Sequence, residues 1–139
     1  MYWLLFKYQR VHNISFSQEN IYKKCFEWLK TPSAKIYKQV DFNDLNHSKL
    51  IAKLRVKLDA IEYVLHCEFK CTILCFEKKY QLTIEDFTFS YFDTESIKTI
   101  KFKMESEDEW NLIEPYIEKI NLDILNFVKP KVMNSKPKQ

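Results

Sequence analysis

Not one of the 139 residues is glycine. Glycine is the residue that takes left-handed and close-approach backbone at no steric cost. Its absence therefore excludes the Gly-rich phosphate cradles of P-loop and dinucleotide-binding proteins. It also excludes the usual G-x-S-x-G nucleophile elbow. Turns must be made by Asn, Asp, Ser and Pro instead.

The length is that of one domain, and a hydrophobic fraction of 46% with 16% aromatics supplies a core without staples. Residues 1–128 are expected to form a single α+β domain, and 129–139 a basic, disordered tail. That tail holds Lys129, Lys131, Lys136 and Lys138; setting it aside leaves 18 basic against 19 acidic residues. A near-neutral domain offers no general field for nucleic acid, which is disfavoured as a partner. The run Met1–Phe6 is apolar but breaks at Lys7, and it lacks a basic n-region and a small-residue cleavage site. The expectation is a cytoplasmic chain without a transmembrane segment.

Residues 2–14 read as a first strand. Ser17 then suits a helix N-cap, with Phe16 before it and Ile21 placed for a hydrophobic staple. Ile21, Cys25, Trp28 and Leu29 share one helical face, and Pro32 closes the helix near Lys30. Residues 35–42 alternate moderately, with Ile36, Val40 and Phe42 expected on one side. The clearest strand follows: Leu50, Ala52, Leu54, Val56 and Leu58 alternate with Ile51, Lys53, Arg55 and Lys57. In 61–76 the apolar row is Tyr63, Leu65, Cys67, Phe69, Cys71, Ile73 and Cys75, with Val64, His66, Glu68, Lys70 and Thr72 opposite. Lys78 and Lys79 mark a turn. Tyr80, Leu82 and Ile84 then alternate, but the phase shifts to Phe87, Phe89 and Tyr91. Such a flip at Glu85–Asp86 predicts a β-bulge. Residues 97–104 add a shorter strand. Ser106 and Glu109 make a capping box for a last helix, whose apolar stripe runs from Trp110 through Ile113, Ile117, Ile120 and Ile124 to Phe127. Pro115 should kink or split it.

These elements predict an antiparallel sheet of about five strands, in the order β-α-β-β-β-β-α, with both helices on its apolar face. Three segments also carry a family pattern: Ser17–Lys30 (SQENIYKKCFEWLK), Ser48–Leu58 (SKLIAKLRVKL) and Lys79–Phe92 (KYQLTIEDFTFSYF). The pairing of Tyr22 with Trp28, the alternating strand after a polar turn, and the K-Y-x-x-x-I-x-x-F form resemble an uncharacterised bacterial family of TBP-like fold. The resemblance spans about residues 10–128 and implies the same element order. It implies no catalytic residue. Members often carry export signals, which this chain departs from, and a Gly-containing turn, replaced here by Glu77-Lys78-Lys79.

Cys67-x3-Cys71-x3-Cys75 is the most suggestive chemical spacing. On a strand, residues four apart are about 13 Å from one another. That is too far for a disulfide or for two thiolates on one zinc. These are expected as core cysteines, with Cys25 able to face them, so no metal and no cofactor is expected. His12, His47 and His66 are far apart in sequence, and Asp41, Asp44, Glu85 and Asp86 suit turn or bulge roles. No residue stands out as catalytic.

Three classes of function follow. The first is a non-catalytic binding or interaction module, using the polar, cationic sheet face or an edge, with Lys53, Arg55, Lys57, His66 and Lys70 as ligand or partner contacts. Its partner would be a protein, a peptide or a small ligand. The second is a small hydrolase-like enzyme using His66 as a base. The third is self-association, a homodimer formed through an edge strand or the aromatic N-terminus.

Overall fold

The computed structural model describes residues 6–59 and 64–130. Its centre is the antiparallel pair β3 (Lys49–Asp59) and β4 (Val64–Phe76), with Leu54 opposite Phe69 and Asp59 opposite Val64. The expected alternation holds on both. Leu50, Ala52, Leu54, Val56 and Leu58 are buried on β3; Leu65, Cys67, Phe69, Cys71, Ile73 and Cys75 are buried on β4. Tyr63, expected in that row, lies outside the described residues.

Strand β2 (Ile36–Asp44) flanks β3, and β5 (Lys79–Asp93) flanks β4. β4 runs along one side of β5, so its other side is shared end to end by two short strands. β1 (Lys7–Asn13) pairs with Lys79–Glu85, and β6 (Lys98–Lys103) pairs with Thr88–Asp93. The sheet thus has six strands rather than about five. Five strands, not four, separate helix α1 (Gln18–Lys30) from helix α2 (Glu107–Val128). Of the first expected strand, residues 1–5 lie outside the described residues; Phe6 stacks on Trp110, ring centroids 5.8 Å apart.

The expected bulge sits at Asp86. Glu68 faces Thr88 while Lys70 faces Glu85, so one residue of β4 is matched by two of β5. Leu82 and Ile84 are buried before it, Phe87 and Phe89 after it. A second bulge was not expected. Val40 faces Ala52 but Phe42 faces Ile51, leaving Asp41 unmatched. The extra residue turns Phe42 to the other face, where it is 43% exposed, so Ile36, Val40 and Phe42 do not share a side.

Both helices join the inner rows in one apolar core. Ser17 Oγ accepts from the Asn20 N–H, and Ser106 with Glu109 forms the expected capping box. α1 buries Ile21, Cys25, Trp28 and Leu29 as expected, and Tyr22 as well. α2 is one continuous helix with Pro115 inside it, so the expected split does not occur. Ile113 and Ile117 are buried on either side of Pro115. Their packing outweighs the one hydrogen bond a proline removes. Trp110 and Phe127 are only half-buried, while Asn121 and Val128 close the stripe.

Trp28 ties the layers together. Its indole N–H donates to Asp123 Oδ2 of α2 at 2.8 Å. Lys38 of β2 donates to the Trp28 and Thr31 carbonyls, each at 2.8 Å, and lies 3.8 Å from the Trp28 ring centroid. One lysine thus satisfies the carbonyl end of α1 and fixes the start of β2 against it.

All four cysteines are buried and unbridged. Cys25 does face the β4 row: a hydrogen bond with Cys75, then burial, holds its thiol well above the usual range. Burial pushes Cys71 up to about 12, and burial with Glu68 and Glu109 nearby brings Cys67 to about 12. Thiols that neither ionise nor meet solvent are inert. A colorimetric disulfide reagent should therefore label no cysteine quickly in native buffer and all four in denaturant. A fast-reacting thiol under native conditions would contradict this core.

Without glycine, Ser48, Lys78, Asp86 and Ile97 occupy the left-handed region. Lys78 is compensated, since its N–H donates to Phe16 O at 3.1 Å and its carbonyl accepts from Ile14 at 2.9 Å. Ile97, at φ 55°, is β-branched and 77% exposed. Ile97→Gly should stabilise the chain by about 1 kcal/mol, read as a higher urea midpoint. A lower midpoint would show that the Ile97 side chain contributes packing that outweighs its backbone cost.

Candidate functional site

The helices cover one face of the sheet, and no described element covers the other, the open face. The five residues expected there fall on adjacent strands in matched rows. Lys53 faces Lys70, Arg55 faces Glu68, and Lys57 faces His66. Following the ladders outward extends each row. Lys70 faces Glu85, which faces Lys7 of β1. Glu68 faces Thr88, which faces Lys103 of β6; His66 faces Ser90, which faces Lys101. Tyr37 of β2 stands beside Arg55, and Gln39 beside Lys53. Lys7, Lys101, Lys103 and Tyr37 were not anticipated. Their membership depends on which strands pair, and only the alternation of Lys101 and Lys103 hinted at it.

Among the described residues the ion pairs are Arg10–Glu118, Glu19–Lys23 and Asp44–His47, and none involves the five. Glu68 stands across from Arg55 without closing an ion pair. The guanidinium instead lies over the Tyr37 ring, 4.8 Å from its centroid. Lys53 and Lys70 are like charges directly opposed on the two central strands, an arrangement that costs stability. Meanwhile α2 carries Glu107, Asp108, Glu109, Glu114, Glu118 and Asp123 against Lys119 alone. A near-neutral domain is therefore polarised, basic on the open sheet face and acidic on α2.

His66 is half-buried in this row. Burial, then Arg55 and Lys57, lowers its pKa below the ordinary histidine value, so its imidazole is neutral near pH 7. Among the described residues no carboxylate contributes to that shift, and no hydrogen bond orients the ring. His47 instead lies 2.6 Å from Asp44 in an exposed turn, and His12 Nε2 lies 2.7 Å from buried Asn121 Oδ1. The three histidines are thus held apart in space as in sequence. Among the described residues no cluster of three metal-capable side chains forms, and no helix is long and apolar enough to cross a membrane.

Relief on the open face divides the expected residues between two clefts. One, of about 420 Å³, lies at the β2 end, where Arg55, Lys57 and His66 meet Tyr37 and the connection Thr31–Lys35. Among the described residues no carboxylate lines it. The other, of about 450 Å³, surrounds the two bulges and mixes Lys53 and Lys70 with Asp41, Glu68 and Asp86 over Phe42 and Ile51. A larger cleft of about 780 Å³ lies on the helix side, between α2 and the ends of β2 and β3, lined by Ile36, Val56, Pro115, Tyr116 and Ile120 with Lys119 and Asp123.

No curated protein matches the sequence. Solved structures do match the fold. A TBP-like protein from Parabacteroides distasonis is similar with a TM-score of 0.71 and 17% identity, over 88% of this chain and 91% of that one. A DUF4468 family protein from Bacteroides ovatus is similar with a TM-score of 0.70 and 11% identity, over 94% of this chain and 90% of that one. At such identities the likeness speaks for the fold. A family model, the domain of unknown function DUF4468 with TBP-like fold, matches residues 8–90, which take in β1, α1 and the sheet through most of β5. The chain belongs to the DUF4468 family.

Proposed function

We propose that this chain is a non-catalytic binding module that holds an anionic partner, a small ligand or an acidic peptide segment, on the open face of its sheet. The observation that carries the reading is the opposed pair Lys53 and Lys70. A sheet selected for stability alone would place opposite charges there. These two stand within a mainly basic band that Glu68 and Glu85 interrupt, while α2 carries six acids against one lysine. An acidic segment laid on the band relieves the repulsion that the free face carries.

Nucleic acid suits the band less well. Setting residues 129–139 aside leaves 18 basic against 19 acidic residues, so the domain lacks the general field that a long phosphate backbone needs. The hydrolase-like alternative needs a group to orient His66, and the charges that act on its ring are Arg55 and Lys57. Pairing through the β2 edge is discouraged by the bulge at Asp41, which interrupts the free strand.

The test is a titration of the full chain with a fluorescent Glu-rich peptide at low ionic strength, alongside the double variant Lys53→Gln/Lys70→Gln. The wild type should bind, and binding should weaken with added salt. The double variant should bind roughly tenfold or more weakly, with its urea midpoint unchanged or raised. Equal binding by the two proteins, or none by either, would overturn the proposal.

A further inference from the structure

The two clefts of the open face differ in a way that narrows the reading above, on which this inference rests. The bulge cleft mixes two lysines with three carboxylates, Asp41, Glu68 and Asp86. The cleft at the β2 end gathers Lys35, Arg55, Lys57 and His66, with no carboxylate among the described residues that line it. Its volume of about 420 Å³ falls within the range of small-molecule sites. We infer that this cleft is a site for a compact, multiply charged oxyanion, a small soluble molecule carrying a phosphate monoester.

Three features fit that ligand. First, the wall is fixed in advance. Lys38 borders the cleft, but its ammonium already donates to the Trp28 and Thr31 carbonyls. It pins the Thr31 end of the Thr31–Lys35 connection and leaves the ligand to the other cations. A wall ordered before binding lowers the entropy lost on association. Second, Arg55 is oriented but unclaimed. Its guanidinium rests on the Tyr37 ring, and no described carboxylate forms an ion pair with it. A planar donor fork held in this way matches two oxygens of one phosphate. Lys57, two residues further along the same face of β3, adds a point charge.

Third, His66 couples the site to pH. The groups around its ring are Arg55 and Lys57 from β3, Glu68 on its own strand, Ser90 from β5, and Lys101 beyond it on β6. In the free protein, burial and the two β3 cations keep the ring neutral. A phosphate between Arg55 and Lys57 offsets their repulsion and gives an imidazolium a partner. The complex then holds more protons than the free chain in the window above the lowered free value. Proton uptake by the ring favours the phosphate dianion as pH falls, until the ligand's own second ionisation, at about pH 6, begins to remove that dianion.

The experiment titrates the full chain with inorganic phosphate and with phenyl phosphate at low ionic strength, following amide and His66 ring resonances by NMR. Saturable shifts should centre on Lys35, Tyr37, Arg55, Lys57 and His66. Arg55→Gln should weaken phenyl phosphate roughly tenfold or more, while Lys53→Gln/Lys70→Gln should leave it unchanged. His66→Gln should keep binding but leave only the pH dependence of the ligand's own ionisation, at about pH 6, removing the part that the ring contributes. Absence of saturable binding, shifts centred on Lys53 and Lys70, or an unaffected Arg55→Gln would overturn the inference. Sedimentation with phosphatidylcholine vesicles containing phosphatidic acid, without binding of phenyl phosphate, would assign the phosphate chemistry to a lipid surface and overturn the soluble ligand. If the Glu-rich peptide still binds through Lys53 and Lys70 in any of these cases, this inference fails and the broader reading stands.

Discussion

One extra residue in β5 sets the terms for the rest of the molecule. Strand alternation has a period of two, so a fifteen-residue strand keeps one apolar face only if its pattern never slips. The β5 sequence does slip, from Tyr80, Leu82 and Ile84 to Phe87 and Phe89, and Asp86 absorbs the slip. Asp is among the few residues other than glycine that accept the left-handed region readily. The bulge keeps both halves facing the helices. It also divides the free side of β5 between β1 before it and β6 after it. Beyond it, Phe87 packs against Phe69 at 5.6 Å and edge-on to Trp110 at 5.5 Å, joining the displaced half of the strand to the start of α2.

The helix layer is then aligned by polar contacts as well as by apolar ones. Tyr8 donates to Glu118, and Arg10 approaches the same carboxylate at 3.8 Å. His12 meets Asn121, and Trp28 meets Asp123. These contacts run along α2 from its middle towards its end, and they use its acids on the inner side of the sheet. What remains on the outer face is mostly base. Total charge hides this, because 22 basic and 19 acidic residues nearly cancel. The separation appears only when the ladders place Lys7, Lys101 and Lys103 in the rows of Lys53, His66 and Arg55 respectively.

Which parts were legible follows from the range of the forces that set them. Strands β3 and β4, both helix caps and the Asp86 bulge are written in neighbouring residues, and reading those neighbours finds them. The Asp41 bulge is not, because one surplus residue in a weakly alternating edge strand leaves no mark until β3 supplies the register. The continuity of α2 through Pro115 depends on Ile113 and Ile117 finding a core. The left-handed Lys78 and Ile97 run against local preference, since a glycine-free chain must use what stands at the turn. The candidate site is legible by half for the same reason. Lys53, Arg55 and Lys57 are on one strand, with His66 and Lys70 on the next, so alternation groups them. Their division between two clefts requires the Thr31–Lys35 connection and both bulges.

Local costs in a fold separate into those with a beneficiary and those without. Ile97 is strained in an exposed turn, where no described neighbour uses its side chain, and its cost reads as a consequence of having no glycine. The opposed Lys53 and Lys70 are different. They stand at the centre of the sheet, away from any turn, and a single change of either charge would relieve them. Lys38 shows what a lysine on this sheet does when the fold alone employs it: its ammonium is saturated by two carbonyls and an indole ring. Lys53, Arg55, Lys57 and Lys70 have no such saturation by described carboxylates. Arg55 rests on the Tyr37 ring and Lys70 faces Glu85, yet none of the four closes an ion pair with a described carboxylate, and that contrast with Lys38 is the ground for proposing the open face as the binding surface.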